Sequence, residues 1–596
     1  MPLEVVFCIL VEMKNCHDPL RNFVAQSLYK ALNALSMPVE NCQDLYDQLV
    51  DPPNPEMGDL AFGCFILAKN FKKAPPQLAA QLKGALSLGS EFESIEAAGP
   101  YLNFKFTPKF IGENLLAKIQ SKEIFNIKLL DKAPKTMIEF SQPNTHKEIH
   151  VGHMRNACLG DALVHLHRYA GFNLISSTFP GDVGTHVAKC LWYLKFHNKE
   201  AIPNQNRGEW LGQIYSKAHL KLEDELGTEK EESNREQLTL ILKQLEQHSG
   251  EYYELWKETR EWSIELMKSV YAWAGIKFDR WYWESEVDAD SVKYVKRLFE
   301  EDKLVVSQGA IGMDLESENL GFCLLLKSDG TGLYATKDLE LARRKFEDFK
   351  IEKSIYVVDT RQALHFKQVF KVLEILGFEQ AQHCYHLQYN FVELPDGAMS
   401  SRKGNIVPLM TLVKKMEEMV RSQYLSRYEN EWRQDEINLV AQQVAQGAIK
   451  YGMLRIDNNK KIVFDMNEWL KIDGESGPFI QYSCARIKSL GQKLNYQETN
   501  PVDWSLLSHS TERKLMQQLM HFNSVMLNAT LNYKPALVCG YLYDLAKRFN
   551  QFYHDCSIGQ AETEALKHSR LALSQCTGLV LEKGLSLLGI PAPQRM

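Results

Sequence analysis

At 596 residues, with 45% apolar and 24% charged residues, the chain is too long for one compact core. Its composition excludes a disordered tract, a collagen-like repeat and a disulfide-stapled scaffold, and a typical unit of about 100–200 residues implies roughly three to five folding units. Lys+Arg 69 against Asp+Glu 75 leaves a net charge of −6, so a polyanion partner must be met by a local basic surface and not by the chain as a whole.

The apolar run at residues 5–11 is too short to span a bilayer and lacks the basic lead and cleavage site of a secretory signal, so a cytoplasmic protein is expected. The 12 cysteines include no pair separated by only two residues, which argues against a CxxC zinc or redox site and for reduced thiols. Amphipathic stretches at residues 20–35 and 61–88, the second interrupted at Pro75-Pro76, precede a strand-like alternation at 101–106, and together they predict a small α/β module. From residue 136 short apolar runs alternate with helical periods: 136–140 before 154–169, then 173–179 before 187–196. That alternation predicts a mostly parallel sheet. Residues 200–270 are charged and helical in period, which predicts a solvated helical hairpin inserted into the α/β domain, and the sheet pattern resumes at 322–326 and 354–358. From about residue 439 helical periodicity dominates, most clearly at 536–553 and 570–588. The expected boundaries are 1–130, 131–438 with its insertion at 200–270, and 439–596.

Two segments carry chemistry. After Phe140-Ser141-Gln142-Pro143-Asn144 the chain reads Lys147-Glu148-Ile149-His150-Val151-Gly152-His153. A strand ends there, and two histidines flank a glycine at a helix start, where N–H groups and imidazole donors can face a phosphate. On its own the pattern fits a capped and packed helix start equally well. Far downstream, Met399-Ser400-Ser401-Arg402-Lys403-Gly404-Asn405 is small, polar and basic. Such a loop suits a mobile clamp on a triphosphate, although alone it also fits an ordinary surface loop.

The two motifs in this order resemble the HIGH and KMSKS signatures of the class I aminoacyl-tRNA synthetases. Further strings resemble the arginyl-tRNA synthetases in particular: Gly181-Asp182-Val183-Gly184-Thr185, Tyr334-Ala335-Thr336-Lys337-Asp338, Gly477-Pro478-Phe479-Ile480-Gln481-Tyr482 and the ending at Met596. The resemblance runs nearly end to end. It implies an α/β multidomain protein: a small N-terminal α/β domain contacting tRNA, a Rossmann-type parallel-sheet catalytic domain with a helical insertion, and a C-terminal all-α anticodon-binding domain. The implied reaction forms arginyl-adenylate and pyrophosphate from L-arginine and ATP, then passes the arginyl group to the 3′ end of tRNA(Arg). Arginine activation in the family needs that tRNA.

The resemblance also implies roles. His150 and His153 would stabilise the α-phosphate in the transition state, with Lys147, Arg402 and Lys403 supplying charge. Ser141, Gly152, Gly181, Asp182, Gly184, Thr185, Met399, Ser400 and Ser401, with both histidines, match ATP-binding positions. Glu139, Asn144 and Gln362 match positions holding arginine's α-amino and carboxylate end. Glu284, Tyr334 and Asp338 match those around the guanidinium, a planar cation that demands carboxylates and in-plane acceptors. Phe479, Tyr482 and Met596 match positions near the anticodon. Mg2+ would accompany ATP with no dedicated protein site, and a monomer with no membrane partner is expected.

The clamp departs from the pattern. Ala398 and Ser401 stand where the full signature has lysines, and Lys147 matches a lysine thought to compensate in such members. Lys337 replaces the family's more usual arginine in Thr336-Lys337-Asp338. Other readings are another class I synthetase, an HxGH nucleotidyltransferase, which leaves the C-terminal half unemployed, and a synthetase-like tRNA-binding or regulatory protein, which only the altered clamp favours.

Overall fold

Asp18 opens the first described helix, Pro19–Ala34, by accepting from the N–H groups of Leu20 and Arg21 at 2.9 and 3.1 Å. The structure is a computed structural model describing residues 18–394, 397–398 and 408–596. The basic segment with Met399, Ser400, Ser401, Arg402 and Lys403 therefore lies outside the described residues. Strands β1 (Leu49–Val50), β2 (Leu60–Gly63), β3 (Phe92–Ala98) and β4 (Tyr101–Phe106) form an antiparallel sheet in the order β1-β2-β4-β3. Residues 61–88, expected as an amphipathic stretch interrupted at Pro75-Pro76, start instead in β2, and two helices follow, Phe65–Phe71 and Pro75–Ala85, with the break where it was expected. Pro75 sits in the first turn of the second helix, where its missing N–H costs nothing. The buried Asp59 accepts from Phe106 N at 2.7 Å and pairs with Arg513 of a C-terminal helix, so this module is tied to the far end of the chain.

In the middle of the chain, β5 (Thr136–Glu139) leads through the helix Val151–Ala170 to β6 (Leu174–Thr178), and β7 (Arg280–Trp281) follows the insertion. All four residues of β5 are buried, as expected of a strand covered on both faces. The insertion holds three helices, Arg207–Asp224, Lys230–Glu246 and Glu251–Ala274, and not the expected hairpin. Gly227 and Gly250, both at positive φ, fall at the two turns between these helices, and Trp192, Ala218, Ile241 and Trp256 give them a core of their own.

Strands β8 (Val305–Ser307), β9 (Ala310–Asp314) and β10 (Phe322–Leu326) form a separate antiparallel sheet. The run at 322–326, expected in the parallel sheet, is therefore the last strand of a meander, because its pairing partner is the strand just before it. Then come β11 (Lys353–Asp359) and β12 (Cys384–Tyr389), and the parallel sheet is complete in the order β12-β11-β5-β6-β7. Chain direction across the sheet reverses at β5: one crossover goes to β6 and another brings β11 to its opposite side. Ligands of such sheets bind outside the carboxyl ends of the strands at this point.

The C-terminal part is helical apart from the short strand Ile462–Val463, which pairs with Val392–Leu394, and its first helix, Gln434–Leu454, runs across the boundary expected at 438/439. It shares an apolar core with the catalytic domain, and buried polar contacts fasten the junction. Arg155, 1% exposed, donates to the carbonyls of Met453, Asp457 and Lys460, each at 3.3 Å. Lys450 Nζ bridges Asp161 Oδ2 at 3.0 Å and the Gly589 carbonyl at 2.7 Å. Gly589 is at positive φ, and a Cβ there would collide with Asp161 Oδ2. Among the described residues no helix is long and apolar enough to cross a membrane.

Candidate active site

The helix Val151–Ala170 begins at the switch point with His150 as its N-cap. Gly152 N donates to His150 Nδ1 at 3.1 Å, and His150 N donates to His153 Nδ1 at 3.1 Å. Because both Nδ1 atoms accept from backbone N–H groups, the proton of each neutral ring resides on Nε2. Burial, aided by the charge of Arg361, lowers the His150 pKa to about 4. Burial, then His150 and Lys147, holds His153 well below the ordinary histidine range. The two rings lie 4.0 Å apart between centroids. At neutral pH they are uncharged Nε2–H donors side by side at a helix N-terminus, an arrangement that binds and polarises a phosphoryl group.

The segment before the helix is held by its own turn chemistry. Ser141 and His146 both take positive φ, 56° and 60°. Asn156, one turn into the helix, accepts from Ser141 N at 2.6 Å and donates to the Val357 carbonyl at 2.9 Å, joining the turn to β11. His146 is wholly buried between Thr145 and Thr259, and burial followed by the charge of Arg260 depresses its pKa to about 3. Lys147 stands over the Tyr215 ring at 5.2 Å, close enough to His153 to depress its pKa. The first described residue after the clamp segment, Pro408, forms an isolated bridge with His150, and Leu409 N donates to the Ile149 carbonyl at 2.9 Å. The downstream root of the clamp is therefore stitched to the histidine motif.

The residues expected around arginine come from the ends of the parallel strands and from two helices, Glu284–Glu300 and Tyr334–Phe349. β5 ends in Glu139, which accepts from Gln142 Nε2 at 3.2 Å and pairs with the fully buried Lys345. Beyond β6, Gly181 bridges Asn144, and a Cβ on Gly181 would collide with Asn144 Oδ1 and come within 3.1 Å of Glu284 Oε2. This glycine lets the two side chains converge. Burial raises the Glu284 pKa to about 7 against the opposing pull of Lys337, whose ammonium lies 3.3 Å from Glu284 Oε1 and 3.2 Å from Asp288 Oδ1. The exposed Gln362 lies in the short turn Thr360–Gln362 beyond β11. Tyr334, 68% exposed, and Asp338 come from the helix Tyr334–Phe349.

Some expected residues are placed differently. Asp182, expected to meet ATP, is wholly buried, and its carboxylate is taken by Arg260 Nε at 2.7 Å, Ser285 N at 2.8 Å and Ser285 Oγ at 2.7 Å. It braces the turn at Gly181 against the insertion and has no atom left for a ligand. Ser141 is likewise buried, with Oγ on Tyr271 Oη at 2.9 Å, so it shapes the floor. Gly184 caps the next helix at φ 104° with open space around it, and the exposed Thr185 follows. Far from this site, Phe479 contacts the Tyr543 ring at 5.5 Å, Tyr482 lies under Arg486 at 4.8 Å, and Met596 packs half-buried on the core.

Sequence reasoning missed Arg361, Lys345, His365 and Asn156. Arg361 follows the end of β11, held by Asp359 at 2.8 Å. A polar Asn156 within a buried helix run and a histidine three residues after Gln362 were the only signals.

Neutral imidazole donors at the helix start and carboxylates at the strand and helix ends, all at the switch point of a parallel sheet, suit a phosphoanhydride and a cationic amino acid, the task of a class I aminoacyl-tRNA synthetase. The family described as tRNA synthetases class I (R), catalytic domain, matches residues 114–466, and the DALR anticodon binding domain matches 480–596. The arginyl tRNA synthetase N terminal domain matches residues 22–106. An arginine–tRNA ligase of Bdellovibrio bacteriovorus is 61% identical over 586 residues, covering 97% of this chain and 100% of that one. That of Clostridium botulinum is 35% identical, covering 93% of this chain and 97% of its own. Among solved structures, the Thermus thermophilus arginyl-tRNA synthetase is similar with a TM-score of 0.78 at 26% identity, covering 97% of this chain and 100% of that one. The Plasmodium falciparum arginyl-tRNA synthetase, at 21% identity, TM-score 0.74 and coverage of 97% and 99%, supports the fold. The chain belongs to the arginyl-tRNA synthetase family.

Proposed function

We propose that this arginine–tRNA ligase activates L-arginine at the carboxyl ends of β5, β6 and β11, using ATP that enters with Mg2+ on its phosphates. The α-carboxylate, already ionised at neutral pH, attacks the α-phosphorus. The bond to the bridging oxygen breaks, and pyrophosphate leaves. No proton is removed from the nucleophile in this step, so positioning and charge stabilisation suffice. His150 and His153 donate Nε2–H to the oxygens of the pentavalent phosphorus, and Lys147 adds charge beside them. Arg402 and Lys403, with Met399, Ser400 and Ser401, meet the leaving pyrophosphate.

Glu139, Asn144 and Gln362 hold the amino-acid end of arginine, and Glu284, Tyr334 and Asp338 surround its guanidinium. Gly152, Gly181, Gly184 and Thr185 present backbone to ATP, while Asp182 and Ser141 act by holding that backbone. In the second step a terminal ribose hydroxyl of tRNA(Arg) attacks the arginyl carbonyl and AMP leaves. Phe479, Tyr482 and Met596 face the anticodon stem and loop in this reading, with aromatic rings available for base stacking.

The observation that carries the proposal is the pair of half-buried, neutral imidazoles at the switch point whose Nδ1 atoms accept from backbone N–H groups, leaving Nε2–H free to donate. The test is pyrophosphate exchange and tRNA charging by the full chain with each amino acid, with and without total tRNA. Arginine-specific, tRNA-dependent activity is expected. Charging with another amino acid, or tRNA binding without activation, contradicts the reading.

A further inference from the structure

We infer that His365 is a positioning residue for arginine recognition, holding Asp338 by one carboxylate oxygen and making arginine affinity depend on its own protonation. The inference rests on the reading above that Asp338 meets the guanidinium. His365, on the helix Ala363–Ile375, places Nε2 2.5 Å from Asp338 Oδ2 on the helix Tyr334–Phe349. Both side chains are largely buried, at 24% and 16% exposure. The contact pins one oxygen, so the carboxylate cannot rotate, and Oδ1 is left for a planar cation. A carboxylate fixed in this way costs less to order when the guanidinium arrives.

The charges around this pair decide the sign. His365 faces Asp338 from its own helix, and its ring meets the edge of Phe366, which in turn lies on His386 of β12. Burial, with a smaller push from His365, lowers the His386 pKa and favours its neutral form. On β11, Tyr356 carries the influence of both Asp338 and Glu139, and Lys345, paired with Glu139, stands 3.8 Å over the Tyr356 ring. Burial opposes charge on His365, yet the hydrogen bond and the charge of Asp338 prevail and raise its pKa above the ordinary 6.5. In the free site His365 therefore holds its proton to higher pH than an ordinary imidazole does. An imidazolium then neutralises Asp338 and repels the incoming guanidinium. Arginine binding must lower the His365 pKa and release a proton, and by linkage affinity must rise with pH through the same window.

Glu284 also releases a proton when a guanidinium arrives, because burial keeps it partly protonated near pH 7. The two contributions separate by substitution. The experiment is calorimetric titration of the full chain with L-arginine from pH 6 to 8.5, in buffers of different ionisation heat, for wild type, His365→Gln, Asp338→Asn and Glu284→Gln. Wild type is expected to bind more tightly as pH rises, by at most about tenfold per pH unit for each proton released, and to release protons. His365→Gln should lose the part of that release centred above pH 6.5, and Glu284→Gln should keep it. His365→Gln should also change KM for arginine several-fold while KM for ATP stays fixed. A His365→Gln variant with the wild-type pH profile and proton release overturns the inference, as does an equal loss at every pH. If Asp338→Asn binds arginine as wild type does, the assignment of Asp338 itself has failed, an outcome distinct from failure of the His365 coupling.

Discussion

Burial moves several imidazoles far from their ordinary range, and each consequence has a definite sign. His167 lies between Phe172 and Tyr533, with Nδ1 2.7 Å from the Leu163 carbonyl, and burial depresses its pKa to about 4. Its unfolded form takes up a proton near pH 6.5, so the stability it contributes is complete above that value and falls as pH drops toward 4, by about 1.4 kcal/mol per pH unit at most. Between pH 7 and 5.5 wild type should therefore lose about 1 kcal/mol more stability than His167→Phe, measured by urea unfolding at both pH values; equal losses would refute this. Lys147 is the other residue with a clear consequence. Lys147→Ala should slow adenylate formation at least about tenfold with an unchanged far-UV spectrum, and near-wild-type single-turnover rates would remove it from the machinery. Arg361 is held locally by Asp359, whereas the other residues missed in the sequence, Lys345, His365 and Asn156, have partners distant in the chain. His365 meets Asp338 across 27 positions, and Lys345 reaches β5 from a helix that precedes β11. No local period records such a pairing.

Between elements, the decisive contact is that of the first catalytic helix with the strand it follows. Gly160 packs directly on the Phe140 ring, and a Cβ there would overlap it. Gly160→Ala should therefore push the helix outward, at a cost of about 1–3 kcal/mol, and displace His150 from β5. Thermal unfolding and single-turnover activation should both fall; an alanine variant of wild-type stability would contradict this packing. At this scale the sequence was most readable where short strand-like segments with an apolar centre stood beside a strongly periodic helix, as in β5, β6 and β11. It was least readable where the element type was clear but its partner was not. Phe322–Leu326 is a strand as its composition implied, yet strand periodicity cannot tell a parallel neighbour from an antiparallel one. The insertion's turns at Gly227 and Gly250 were similarly hidden within a continuous charged pattern.

For the molecule as a whole, a net charge of −6 and a tRNA substrate can coexist only if the basic groups are gathered on one face. Charging should accordingly weaken with salt through KM for tRNA while KM for arginine changes little; a tRNA KM insensitive to salt would contradict that distribution. The histidine helix links the two tasks, for Arg155 and Lys450 fasten it to the C-terminal helices while His150 caps it at the switch point. Domain order was legible because the motifs name it, whereas the seam at residues 434–454 was not, because one continuous helix serves both sides. The central claim is that two neutral imidazoles stabilise the phosphoryl transition state. Single-turnover arginyl-adenylate formation with tRNA(Arg) present, for wild type, His150→Ala and His153→Ala, tests it most directly. Each variant should lose about 10²–10³ in rate with arginine affinity within about twofold, and at saturating arginine the wild-type rate should be independent of pH between 6 and 8. Rates close to wild type, or losses confined to arginine binding, would contradict it.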